Sequence, residues 1–361
     1  MSRLMRSALP ALLGAAATCL ASAAPAGAVV GGTPAKPSSY PWHAELPFCG
    51  GALIAPDRVA TAAHCVAGLP LRDIHGVRLG SGVVRQAVGI SIEPGYLRRA
   101  LDGSANRDAP AGDVAIVVLD APVPGVKPLT VRTRTPTRGT PGLLLGSGQK
   151  TVPRKPVRAA ANFESLRKAT LGVISDGACG AFYRRHGGKA YRSALRPATM
   201  LCATDPDGRR PFRSACVGDS GGPLVIGSTL AGIVSWGLRC GGDRDPSVFT
   251  DPTAYRAFLT APSPALAPVS SGAPATISGE AKVGATLTCA APPWVRAPSS
   301  ITFSFDSYRF NHGRTSRQQG ASPTYVVRAA DAGRYVSCAA TGSNAGGFET
   351  TRASADLRIA A

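Results

Sequence analysis

Cys216-Val217-Gly218-Asp219-Ser220-Gly221-Gly222-Pro223 sets one serine among three glycines, with a cysteine four residues before it and an acid beside it. Glycine permits positive φ and close approach of another backbone. Such a turn also leaves N–H groups able to point at a developing negative charge. The stretch therefore reads as a tight turn presenting one hydroxyl. Alone, it could equally be an ordinary glycine-rich turn, and two stretches upstream decide between them.

The first is Ala60-Thr61-Ala62-Ala63-His64-Cys65 and the second is Gly112-Asp113-Val114-Ala115-Ile116-Val117-Val118-Leu119, an acid opening an apolar run. A serine hydroxyl is a poor nucleophile near neutral pH unless a base with a pKa close to 7 lies within hydrogen-bond reach. Asp102 and Asp108 compete with Asp113 for the acid. Asp113 is preferred because the apolar run anchors it at a strand edge, whereas residues 101–112 read as an exposed polar loop. His43, His75, His186 and His312 lack comparable flanks and read as surface or structural residues.

Histidine, aspartate and serine, in this order and each in its own flanking sequence, resemble the chymotrypsin/trypsin family of serine endopeptidases over about residues 29–259. The resemblance implies an all-β fold of two six-stranded antiparallel barrels. It implies that Ser220 attacks the peptide carbonyl, His64 shuttles the proton, Asp113 orients His64, and the Gly218 and Ser220 N–H groups form the oxyanion hole. It also implies that a free amino group at Val29, in Val29-Val30-Gly31-Gly32, pairs with Asp219. Such pairing raises the amine above its free pKa of about 8, so the ordered site is lost as pH climbs past that raised value.

The same resemblance places Ser214 at the floor of the substrate pocket, with Ser235, Trp236, Gly237 and Ser247 around it. Trypsin-like enzymes carry aspartate at that floor position to hold Lys or Arg. Serine there implies cleavage after Phe, Tyr, Leu or Met instead, unless Asp243 or Asp245 projects into the pocket. Disulfides Cys49–Cys65, Cys179–Cys202 and Cys216–Cys240 are implied, leaving Cys289 with Cys338. Cysteine counting alone allows 105 pairings of eight residues.

Composition supplies the setting. Residues 1–28 read as a secretory signal: Arg3 and Arg6, an apolar run, then Ala26-Gly27-Ala28. Cys19 lies within it and is discounted as a lipid site. Of nine cysteines, setting Cys19 aside leaves eight, an even number that suits an extracellular, oxidising compartment. Signal cleavage directly before Val29 would create the active N-terminus without a zymogen; a secreted chain beginning at Pro25 or Ala26 would refute this.

The net charge is +19 and pI about 10.2, and removing Arg3 and Arg6 leaves +17. Arginine and alanine richness is what a GC-rich bacterial genome produces, and an anionic cell-surface or cell-wall ligand is the functional alternative. No basic run is interleaved with stacking aromatics, so nucleic acid is not expected as a partner. No Cys/His cluster suggests zinc, and residues 69–92 offer only Asp73 for calcium. The expected partners are proteins or peptides, with no cofactor and no metal, acting on a monomer.

The domain plan is a signal at 1–28, a protease domain at 29–260, a Pro/Ala/Ser linker at 261–274, and a β-sandwich at 275–361. The last resembles immunoglobulin-like modules of secreted bacterial proteins. Tyr335 stands three before Cys338, so the two face opposite sides of a strand.

Overall fold

The computed structural model describes residues 29–104, 106, 109–148, 166–309 and 313–360. The expected signal, Asp108 and His312 lie outside the described residues. Two β-barrels fill the first two thirds of the chain. In the first, the strand order is Val84–Arg85, Val77–Leu79, His43–Glu45, Gly50–Ala55, Arg58–Thr61, Ala115–Leu119 and Ala87–Ile92. The sequence of residues 83–92 reads as one strand, but it breaks at Gln86 and supplies both edges, which nearly closes the barrel. That break turns the six expected strands into seven. Pro56-Asp57 makes the hairpin turn between Gly50–Ala55 and Arg58–Thr61.

The second barrel is closed by six strands: Arg167–Val173, Pro141–Gly146, Pro223–Ile226, Thr229–Gly237, Ser247–Thr250 and Met200–Thr204, the last pairing back with the first. Apolar residues from both barrels meet in one core that includes Val59, Ile116, Leu230 and Ile233. This seam matters because the stretches that carry the candidate site converge on it: Gly50 N–H donates to Ser220 O at 2.8 Å, and Thr250 Oγ1 donates to Asp113 O at 2.8 Å.

Helices are few. The sequence around 177–186 reads as a short helix, and the structure has one at Asp176–His186 with Ser175 as its N-cap. Pro94–Leu101 is a helix where Pro94-Gly95 reads as a turn. Proline is compatible with a first helical turn, and Glu93 caps this one by accepting from Tyr96 N–H at 2.7 Å. The C-terminal helix of the protease part shrinks to one turn, Arg256–Leu259.

Beyond it the chain builds a three-stranded sheet, Thr276–Ser278, Thr286–Ala290 and Thr324–Val326, and a five-stranded one around Ser300–Tyr308 and Tyr335–Asn344. Leu287, Phe305, Tyr325 and Val336 are packed between them, and Cys289–Cys338 cross-links the two sheets. Tyr335 stacks on Tyr308, while Cys338 is buried. Residues 261–274 do not run free: Ala267 is buried, its N–H donates to Ile90 O at 2.7 Å, and Val269–Ser270 pairs with Trp294–Arg296. No helix among the described residues is long and apolar enough to cross a membrane.

Candidate active site

His64 sits in a single 3₁₀ turn, Ala63–Cys65, directly after strand Arg58–Thr61. The Cys49–Cys65 disulfide ties this turn to the start of strand Gly50–Ala55, the same point to which the Ser220 carbonyl is bonded. Asp113 opens the run that becomes strand Ala115–Leu119 and is fully buried. Its two oxygens grip the histidine residue twice: Oδ1 accepts from the His64 backbone N–H at 2.9 Å, and Oδ2 lies 2.7 Å from Nδ1. Ser235 Oγ donates to the same Oδ2 at 2.5 Å. This carboxylate thus fixes the ring and leaves Nε2 to act as a base.

Burial alone lowers the His64 pKa, but the Asp113 charge and hydrogen bond outweigh it and hold the imidazole above its ordinary value. Asp102, the competing acid, is exposed and accepts from its own neighbour Ser104.

The Ser220 turn is built by the glycines around it. Gly218 has φ +92° and Gly221 has φ +76°, and a Cβ on Gly221 would lie 2.4 Å from the Gly50 carbonyl oxygen. Among the described residues neither Gly218 nor Ser220 donates its backbone N–H to a protein acceptor. Two unspent N–H groups flanking a half-buried serine can stabilise an oxyanion. Ser220 Oγ and His64 Nε2 are not hydrogen-bonded in this structure, and Nε2 lies 3.8 Å from Cys65 Sγ. Catalytic hydrogen bonds are often loose without substrate and tighten in the complex.

Asp219 is fully buried. It accepts from Gly148 N–H at 2.9 Å, from Cys216 N–H at 2.8 Å and from Val29 N–H. Burial pushes its pKa up to about 7, against the pull of those three donors. Val29 is fully buried with φ +51°, an unusual conformation for a β-branched residue. No local signal in the sequence marks Gly148: it matters because its N–H meets an acid 71 residues away.

Where the pocket floor is expected, Ser214 Oγ accepts from Gly241 N–H at 2.7 Å and Ser247 Oγ from Ala215 N–H at 3.1 Å, both side chains buried. Asp243 is exposed. Asp245 is buried, and its carboxylate is held by Arg239 through contacts of 2.7 and 3.1 Å. Trp236 packs edge-on against Tyr183, 4.8 Å between ring centres, and Tyr183 donates to Pro246 O at 2.6 Å. Ser235, expected in the segment around the pocket, turns its hydroxyl to Asp113. Tyr183 and Arg239 went unread in the sequence because an aromatic on a short helix and one arginine among 33 carry no distinguishing local pattern.

Four disulfides join Cys49 to Cys65, Cys179 to Cys202, Cys216 to Cys240 and Cys289 to Cys338. Among the described residues, one group of metal-ligating atom types gathers, Cys49, His64 and Cys65. Its sulfurs are joined to each other, so they are not the thiolates that zinc takes.

A family model described as Trypsin matches residues 29–259. Trypsin theta of Drosophila melanogaster is 32% identical over 248 residues, covering 64% of this chain and 85% of the relative. Trypsin of Saccharopolyspora erythraea is 30% identical over 243 residues, 63% of this chain and 94% of the relative. Hypodermin-B of Hypoderma lineatum is 30% identical over 250 residues, with 65% and 87% covered.

Proposed function

Because this chain belongs to the trypsin family and is a serine endopeptidase, we propose that Ser220, His64 and Asp113 are its catalytic triad. The observation that carries the reading is the double grip of the buried Asp113 on His64 beside the glycine-built Ser220 turn. Ser220 Oγ attacks the carbonyl of a peptide substrate as its proton passes to His64 Nε2. The imidazolium, stabilised by Asp113, returns that proton to the leaving amine, and an acyl-enzyme remains. Water, deprotonated by His64, then releases the acid product. Gly218 and Ser220 N–H groups hold the oxyanion in both steps, where one such donor is typically worth about 3–4 kcal/mol.

Cleavage follows apolar residues, Phe, Tyr, Leu or Met. The support is negative charge that is missing or spent: both floor hydroxyls accept backbone N–H groups, and the nearby buried Asp245 is neutralised by Arg239. Residues 1–28 direct secretion and are removed, so that the Val29 ammonium replaces the amide N–H already seated at Asp219. Residues 275–361 form an immunoglobulin-like sandwich, supported by the two packed sheets and their cross-link.

The test is the rate of labelling by an active-site phosphonylating reagent beside a Ser220→Ala control. Stoichiometric labelling lost in the control is expected. An unlabelled protein shown to begin at Val29 would overturn the triad. A panel of otherwise identical peptides ending in Phe, Leu or Arg then tests specificity, and preference for Arg would overturn the apolar assignment.

A further inference from the structure

We propose that the C-terminal module is the second wall of the substrate cleft and reads the polypeptide flanking the scissile bond through an uncharged hydrogen-bonding face. The proposal rests on the catalytic reading of His64 and Ser220. A cavity of about 970 Å³ opens beside the catalytic histidine, with His64 on one side and Ser300, Thr302, Gln319, Thr341 and Ser343 on the other. That size is at the upper end of ligand pockets, which run to about 1,000 Å³.

The five module residues share a face for a simple reason. Alternate residues of a strand point the same way. Ser300 pairs with Ser343 and Thr302 with Thr341, so their side chains form one patch, while Phe305 and Cys338 on the opposite face are buried in the module's own core.

The module is seated, not merely tethered. Thr350 N–H donates to Gly68 O at 3.1 Å, four residues beyond His64, and Ile92 N–H donates to Gly346 O at 2.8 Å. Phe348 packs on Gly68 and joins the first barrel's core. A wall held by backbone bonds this close to the catalytic turn keeps a fixed position relative to the reacting groups.

Its chemistry limits the occupant. The chain carries +19 overall, yet among the described residues no Lys or Arg lines the cavity, and Asp102 is its one carboxylate. Hydroxyl and amide groups both donate and accept. They suit the backbone and polar side chains of an extended peptide, whereas an anionic polymer would call for cations. A substrate long enough to leave the immediate site therefore lies between the two domains.

The experiment uses the full chain, its active concentration set by phosphonylation, with the isosteric Gln319→Glu and its opposite, Gln319→Lys. Octapeptides with a fixed cleavage residue carry one Lys or one Asp at each position from the second to the fourth on either side of the bond. If the module is a cleft wall, kcat/KM for Lys relative to Asp rises in Gln319→Glu and falls in Gln319→Lys at the same position, by about three- to five-fold each, the worth of an exposed ion pair. A sign that follows the charge does not arise from misfolding. A ratio equal in both variants at every position would overturn the proposal. Peptide turnover that persists in Ser220→Ala would instead overturn the catalytic reading on which it rests.

Discussion

Replacing Asp219 with Asn changes little volume but should remove most activity. Its oxygens accept from Gly148 at 2.9 Å and Cys216 at 2.8 Å, and Val29 N–H bonds to it as well. An amide has one oxygen, so its NH₂ must face one of the two backbone donors. In a chain beginning at Val29 the third donor is an ammonium, which Asn leaves buried without a counter-charge. Removing one partner of a buried pair costs about 3–5 kcal/mol. At about 1.4 kcal/mol per factor of ten, the loss in kcat/KM runs from roughly a hundred-fold to a few thousand-fold. It acts through the turn, since Asp219 also bonds Cys216 O through its own N–H at 2.9 Å. The assay is kcat/KM on a chromogenic peptide and the phosphonylation rate, with circular dichroism to show that the barrels remain. A variant within about ten-fold of the parent, its N-terminus verified by mass spectrometry, would refute the buried-pair argument.

Three further outcomes follow from the same geometry. His64 must be neutral to accept a proton and its pKa is raised above 6.5, so kcat/KM should climb with pH through a limb above that value. In Asp113→Asn the lowering by burial is left unopposed and the limb of the residual activity should move down; a limb that stays put would contradict the pairing. Ser214→Asp places a carboxylate at the pocket floor and should shift the Arg-to-Phe ratio of kcat/KM towards Arg by at least about ten-fold, the worth of a charged hydrogen bond; an unchanged ratio would remove Ser214 from the pocket. Gly68→Ala forces a left-handed φ of +76° on a residue whose Cβ would lie 2.8 Å from the Phe348 ring. The backbone part costs about 1–2 kcal/mol, so calorimetry should find the melting temperature lower by several degrees; an unchanged transition would contradict the left-handed geometry at Gly68.

Some of this protein is written locally. The glycines around Ser220, the Ala63-His64-Cys65 turn and the apolar run after Asp113 each encode their own backbone, because φ preference, burial and strand propensity act between neighbouring residues. That is why the local elements around His64, Asp113 and Ser220 could be read from short stretches, whereas the two barrels were read from the family resemblance. Boundaries were less legible: Pro94–Leu101 became a helix once Glu93 could cap it.

What the tertiary structure alone decided are pairings between distant residues. Ser235 reaches Asp113 across 122 positions, Arg239 occupies Asp245, and Gly148 completes the cage around Asp219. The placement of the C-terminal module is of the same kind. A proline-rich stretch reads as a spacer, yet Ala267, Gly346 and Thr350 make backbone hydrogen bonds with the first barrel. Such bonds use the main chain, which every residue carries, so no side-chain pattern announces them. The motifs that suggest the chemistry are short and local, while the shape of the cleft around them depended on how the barrels and the module pack.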